Sequence, residues 1–220
     1  LSLHAALPIL LLTPVDAPAF SERQPEDFVR YCTGIIRSAI ISSGGGALVL
    51  FTSYSMLIRL SDELMADFAK AGITLFRQGE MDRFRLLKQF TAEQDSVLFA
   101  TDSFWEGVDA PGNTLRLGII VKLPFRVPTD PVFKARQEAL DSQGGSGFFQ
   151  LALPEATMKL KQGFGRLLRN TVDTGVVLIL DSRVVHKGYG SWMLQALPES
   201  FHPETTSDGV PGKIEAFLYR

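Results

Sequence analysis

The stretch Ala47-Leu-Val-Leu-Phe51, followed at once by Thr52-Ser-Tyr-Ser55 and then by Leu57, Leu60, Leu64 and Phe68 at helical spacing, sets the fold. Five apolar residues without alternation describe a strand buried on both faces, as in a parallel sheet covered by helices. The pattern recurs. Residues 96–100, 117–121 and 176–180 are further short runs rich in Val, Ile, Leu and Phe, and 74–76 is a weaker one. Between them lie helical stretches at 26–41, 56–70, 82–90, 130–140 and 155–169. This alternation predicts an α/β fold with a doubly wound, mostly parallel sheet.

In the last of those helices, Lys159, Gln162, Arg166 and Arg169 share one face, while Ala156, Leu160, Gly163 and Leu167 make a second stripe. A helix that buries one stripe and aims several cationic forks in one direction suits a phosphate chain; a surface helix with solvated charges is the alternative. In an open parallel sheet the ligand edge lies beyond the carboxyl ends of the strands. There, Thr52-Ser-Tyr-Ser55 offers hydroxyls and helix-start amides to a nucleic-acid phosphate, or else an ordinary N-cap with Ser55 opening the helix. After the 96–100 run comes Thr101-Asp-Ser-Phe-Trp-Glu-Gly-Val-Asp-Ala-Pro-Gly112. This loop places Asp102, Ser103, Glu106 and Asp109 near one strand end, and Gly107 permits close backbone approach. Phe104 and Trp105 in it either stack a nucleic-acid base or pack in the core. Arg183 and Lys187 either line the cleft after the last strand or form a salt bridge at a helix start.

Composition narrows the function. With 220 residues, 45% of them hydrophobic, the chain can bury the core of one large α/β domain. A net charge of -2 argues against a generally basic DNA-coating protein, so any nucleic-acid contact is a local groove. Cys32 is the only cysteine, which excludes an internal disulfide framework and a cysteine-built metal or iron–sulfur site within this chain. It points to a reducing, cytoplasmic setting. His4, His186 and His202 share no ligand spacing with Cys32 or one another, so no metal site is expected.

The first twelve residues are apolar but interrupted by Pro8, carry no basic leader and are too short to span a bilayer; no membrane segment follows elsewhere. Residues 1–9 look like a translated sequencing adapter. Residues 1–12 are therefore set aside as a non-native or disordered leader, and 13–220 are expected to form a single domain with an insertion at about 127–151. Ser42-Ser-Gly-Gly-Gly46 reads as a flexible turn.

Gln162-Gly-Phe-Gly-Arg-Leu-Leu-Arg169 resembles motif VI of superfamily 2 helicases, the loop from Thr101 to Gly112 resembles motif V, and Leu48-Val-Leu-Phe-Thr-Ser-Tyr-Ser-Met-Leu57 resembles motif IV. Together they are similar to the DinG branch of the XPD-like DNA helicases, over residues 26 to 203. Lys122-Leu-Pro-Phe-Arg-Val-Pro-Thr-Asp-Pro131, Leu153-Pro-Glu-Ala156, Asp181-Ser-Arg183, Tyr189-Gly190 and Leu197-Pro198 agree with that branch.

The resemblance implies the second of two RecA-like domains of an ATP-dependent DNA helicase, with 5′ to 3′ polarity. Arg166 and Arg169 would stabilise charge on the leaving phosphate. Gln162 would contact nucleotide or fix the arginines, and Gly107 and Asp109 would couple the nucleotide side of the cleft to the nucleic acid. Thr52, Ser53, Asp102 and Ser103 would sit on or near the path of single-stranded DNA. ATP and Mg2+ would be held chiefly by an N-terminal RecA-like domain, since this chain has no Gly-x-x-x-x-Gly-Lys-[Ser/Thr] loop and no Asp-Glu-x-His box. Gly46 is followed by Ala47 and Leu48, which supply neither the lysine nor the hydroxyl. By itself the chain would not hydrolyse ATP, and an iron–sulfur cluster, carried by many members, would lie in the other part. Two further readings are a non-catalytic nucleic-acid-binding RecA-like module and a doubly wound enzyme similar to nucleotide-sugar transferases, whose arginines hold a diphosphate.

Overall fold

In the computed structural model, which describes residues 9–21, 23–101, 104, 115–126, 130–164, 174–198 and 200–219, the apolar runs are strands and the amphipathic stretches between them helices. Chain order is β1 (Ile9–Leu12), α1 (Pro25–Ser43), β2 (Ala47–Phe51), α2 (Tyr54–Lys70), β3 (Thr74–Arg77), α3 (Arg83–Ala92), β4 (Ser96–Thr101) and β5 (Leu117–Ile120). Next come α4 (Pro131–Ser142), a π-helical turn (Phe148–Ala152), α5 (Leu153–Phe164), β6 (Gly175–Ile179), α6 (Arg183–His186), α7 (Gly188–Gln195) and α8 (Val210–Leu218). The strands lie in the order β1-β6-β5-β2-β4-β3, and every described pair is parallel.

Alternation of side chains along the strands divides the core into two layers. Ala47, Val49, Phe51, Val97, Phe99 and Ile119 pack under α1, α2 and α8. Leu48, Leu50, Leu98, Ala100, Ile120 and Val177 pack under α3, α5 and α7. The helical spacing read in α2 is its buried face: Leu57, Leu60, Leu64 and Phe68 are all fully buried. Each such side chain contributes about 1.5–3 kcal/mol when taken out of water. The sheet is thus covered on both faces, and its polar loops gather at the edge beyond the carboxyl ends of the strands.

The amino end corrects the sequence expectation. Residues 9–12, set aside with the leader, form β1, paired with β6 from Ile9 against Gly175 to Leu12 against Leu178 and 0–2% exposed. Its outer edge is also met, since Leu11 N donates to the Phe201 carbonyl at 2.9 Å and Phe201 N donates to the Ile9 carbonyl at 2.8 Å. Pro8 does not prevent this, because a proline preceding a strand removes no ladder donor from it. Residues 1–8 lie outside the described residues. The glycines 44–46, read as a flexible turn, all take positive φ, and Gly44 caps α1 by donating to the Ile40 and Ile41 carbonyls.

Helix α8 had no counterpart in the sequence expectations, although Val210, Ile214 and Phe217 repeat at helical spacing and bury against the α1 side of the core. Among the described residues no helix is long and apolar enough to cross a membrane.

Candidate functional site

Strand β2 delivers Thr52 and Ser53 to the carboxyl edge of the sheet. Ser53 is the N-cap of α2: its backbone is extended (φ -136, ψ 123), and its hydroxyl accepts from Met56 N at 3.4 Å and lies 2.9 Å from the Ser55 hydroxyl. The helix therefore opens at Tyr54, and the capping role expected of Ser55 belongs to Ser53, whose extended backbone lets its hydroxyl reach the third amide of the first turn. No acidic side chain occupies that turn, so the positive end of the helix dipole is not offset by side-chain charge there. Beside it lies a cavity of about 330 Å³ whose lining includes Phe20, Ser53, Ser55, Met56, Arg59 and Lys122. The Lys122 ammonium stands 3.1 Å from the centre of the Phe20 ring.

Strand β4 ends at Thr101, whose backbone N–H and hydroxyl both donate to Gln78 Oε1 at 2.8 Å. Asp102, Ser103, Gly107 and Asp109 follow it and lie outside the described residues, as does Trp105. Phe104 is described, and it is core: 3% exposed, with the Arg83 guanidinium 5.0 Å from its ring centre. Of the two readings of Phe104, packing is the one the structure supports.

At the exit of β6 the polar groups meet one another. Asp181, 6% exposed, accepts from Leu123 N at 2.8 Å, from Arg183 N at 3.0 Å and from the Arg183 guanidinium at 2.6–3.1 Å. Burial works against the charge on Arg183, but the Asp181 carboxylate and the Tyr189 hydroxyl together outweigh it and hold the guanidinium pKa above its ordinary value. The same guanidinium lies 5.1 Å from the Phe125 ring. Arg183 thus takes the salt-bridge role, while Lys187 lines a cavity of about 540 Å³ with Thr13, His186, His202 and Glu204.

Helix α5 separates its stripes as the sequence predicts, as far as Phe164. Ala156, Leu160 and Gly163 are buried against the sheet, Gln162 is exposed and Lys159 is half-buried. Phe164, fully buried, holds the end of the helix in the core. Arg166 and Arg169 lie outside the described residues. Of the expected site residues the structure therefore places Thr52 and Ser53 together at the β2 exit and Gln162 on the outward side of α5.

Sequence reasoning assigned no role to Asp181 or Gln78. Each is a polar residue within two positions of the end of a described strand, a signal that was present in the sequence. Their partners, Leu123 and Thr101, are distant in the chain and could not be read from it. Cys32 is buried on α1, and burial pushes its thiol well above the ordinary range, which leaves it a packing residue. Among the described residues no group of three or more His, Cys, Asp or Glu side chains is arranged to hold a metal ion.

Residues 36–200 match the family described as Helicase C-terminal domain. The ATP-dependent DNA helicase YoaA of Haemophilus influenzae is 46% identical over 166 residues, 76% of this chain and 26% of that protein. The 3'-5' exonuclease DinG of Bacillus subtilis is 40% identical over 173 residues, 78% of this chain and 18% of that protein. The chain spans about a quarter or less of the length of these curated relatives. Among solved structures, S. tokodaii Xpd4 superposes with a TM-score of 0.63 at 15% identity, covering 91% of this chain and 39% of that one. S. cerevisiae Dbp5 bound to RNA and ADP BeF3 gives 0.58 at 13% identity, covering 96% and 45%. At such identities the two superpositions establish the fold, a RecA-like sheet.

Proposed function

Because the chain belongs to the helicase C-terminal domain family, in its DinG and XPD-like superfamily 2 form, we propose that it is the second motor domain of an ATP-dependent DNA helicase. In this reading residues 9–220, β1 included, make up one domain with an insertion at about 127–151, and the domain works against an N-terminal RecA-like domain that holds most of the ATP and Mg2+. A reducing, cytoplasmic setting belongs to the same reading. The observation that carries it is the family match itself, because residues 36–200 contain all the candidate positions, from Thr52 and Ser53 to Arg169.

The local geometry supports the division of roles. On α5 the stripe of Ala156, Leu160 and Gly163 is taken up by the core, which leaves Gln162 on the side turned away from the sheet. If the helical register continues, Arg166 and Arg169 share that outward side and can reach a nucleotide held by a facing domain. There, two guanidinium forks would stabilise charge developing on the leaving phosphate, with Gln162 contacting nucleotide or holding the arginines in place. Gly107 and Asp109 would connect this nucleotide side to the nucleic acid. At the β2 exit the Thr52 and Ser53 hydroxyls and the α2 amides suit the phosphates of a single DNA strand, with Asp102 and Ser103 alongside.

ATP hydrolysis and single-strand binding test the proposal. The purified 220-residue chain is expected to show no ATP turnover with or without single-stranded DNA, whereas the complete helicase hydrolyses ATP and is stimulated by DNA. The chain alone is also expected to bind single-stranded DNA weakly with a shallow salt dependence, since it offers part of a groove and a net charge of -2. Robust magnesium-dependent turnover by the chain alone would refute this division of labour.

A further inference from the structure

Between β5 and α5, helix α4 is exposed along most of its length and buries only Phe133. Both of its ends are nonetheless fixed. Arg126 forms ion pairs with Asp130 and Glu155 and stands 5.5 Å from the centre of the Phe133 ring, and past the other end Gly147 N donates to Asp141 Oδ1 at 2.8 Å. Gly147 also lets the backbone pass close against α4, since a Cβ there would stand 2.7–2.8 Å from Gln137. What these contacts hold in place is the π-helical turn Phe148–Ala152, a geometry that is uncommon in proteins and recurs at functional sites.

Two phenylalanines open that turn, and their rings are used differently. Phe148 is half-buried, stacked on Phe125 at 5.8 Å and 5.2 Å from Tyr189, while Phe125 has the Arg183 guanidinium 5.1 Å from its centre. Phe149 is 61% exposed and meets Phe148 nearly at right angles, with 5.1 Å between ring centres. In either sense of such a T, at least one face of the Phe149 ring is left uncovered by Phe148. The rings beneath it are locked together and Phe149 N donates to Ser146 Oγ at 3.3 Å, so little ordering is needed before a flat ligand is received. The residues exposed beside it in the chain, Gln143, Gly144, Gly145 and Gln150, are amides and glycines, so the ring is not part of a continuous apolar run of the kind that protein docking uses.

The ring cluster rises from two strand exits, Phe125 following β5 and Tyr189 following β6. β5 is the sheet neighbour of β2, about 4.8 Å away, and the β2 exit carries Thr52 and Ser53. We propose that Phe149 stacks a base of the single DNA strand whose phosphates meet the β2 exit. The inference rests on the helicase reading above and adds to it a contact with the bases. Its chemistry is that of an aromatic face, which accepts any base and reads no sequence.

The test uses the complete helicase and single-stranded oligonucleotides that carry 2-aminopurine, a base whose fluorescence responds to stacking, at each position in turn. Phe149→Ala is expected to weaken binding about tenfold, within the range for loss of one stacked base, and to remove the fluorescence change at one position. The slope of log affinity against log salt should not change, because no phosphate contact is lost. Phe149→Trp keeps an aromatic face and is expected to retain both the affinity and the fluorescence change, and both variants should melt at the wild-type temperature. Wild-type affinity in Phe149→Ala overturns the stacking role. So does a Phe149→Trp variant as weak as Phe149→Ala, or weaker binding that comes with a shallower salt slope or a lower melting temperature, the patterns of a lost phosphate contact and of a structural ring. A wild-type helicase that does not bind single-stranded DNA would overturn the functional reading, and the stacking with it, whereas the preceding outcomes overturn the stacking alone.

Discussion

The exits of β2 and β6 lie on the same edge of the sheet and both pass the chain to a helix through a short polar segment, but they use their polar atoms differently. Behind β6, Asp181 is almost fully buried and its two oxygens receive donors from Leu123, from the Arg183 backbone and from the Arg183 guanidinium. Behind β2, Thr52 and Ser53 are half-buried, the hydrogen bond from Met56 N to the Ser53 cap is long at 3.4 Å, and a cavity of about 330 Å³ adjoins Ser53 and Ser55. One exit is a closed hydrogen-bonded joint; the other keeps hydroxyls and helix-start amides within reach of a ligand. A polar residue after a parallel strand is thus a candidate ligand contact only when the fold has not already given it buried partners.

The largest expected effect contrasts arginines of the two kinds. In the complete helicase, Arg166→Ala and Arg169→Ala should each lower the ATP hydrolysis rate by about two or more orders of magnitude, within the range of arginine fingers, with single-stranded DNA binding retained. Arg183→Ala should change hydrolysis far less, because that guanidinium is already engaged by Asp181. Steady-state rates for the three variants decide it; near wild-type hydrolysis by both finger variants would remove the assignment on α5.

Next comes the closed joint. Asp181→Ala leaves the Leu123 amide without its acceptor and the Arg183 guanidinium with Tyr189 alone, and should destabilise the domain by about 2–3 kcal/mol, somewhat below a fully buried pair because Arg183 is 38% exposed. Urea unfolding measures this, and a loss within about 0.5 kcal/mol, as for ordinary surface substitutions, would show that the joint is not a stabilising one. At the open exit the effects should separate. Ser53→Ala removes a cap and should cost about 1 kcal/mol of stability together with single-strand affinity, whereas Thr52→Val should lower affinity with little change in stability. Equal stability losses from both would erase the distinction between cap and contact.

The smallest effect is a pH dependence at the amino edge. His202 Nε2 lies 2.7 Å from the Thr13 hydroxyl, and partial burial lowers its pKa below the ordinary 6.5. The unfolded chain then binds the proton more readily than the folded one, so this contribution to stability is present above pH 6.5 and is lost as the pH falls through the lower folded value. Thermal melts between pH 7.5 and 5 should show a shallower decline for His202→Gln than for wild type.

Strand and helix positions were legible wherever burial on both faces forced apolar runs, as at Ala47–Phe51, or wherever one buried stripe forced a helical period, as at Leu57, Leu60, Leu64 and Phe68. β1 was not legible in that way. Its four apolar residues are too few to separate a strand from an apolar leader, and what makes them a strand is β6 on one side and Phe201 on the other, from residues more than 160 positions away. The site divided along the same line. The Gln162 face of α5 followed from helical periodicity alone, whereas the choice of Phe104 as core and of Ser53 as cap depended on what stood next to each.

By itself, then, the sequence determined the doubly wound sheet, the edge at which the polar loops collect and the family whose motifs they carry, because periodicity and short motifs are local properties of the chain. Only the tertiary structure decided which of those polar residues are already partnered. Asp181 is closed off by a backbone amide from after β5, and Gln78 is met by a hydroxyl from α2 and by the end of β4. Hydrogen-bond partners brought together across a sheet leave no spacing rule in the sequence, since their separation along the chain is set by the lengths of the helices and loops between the strands.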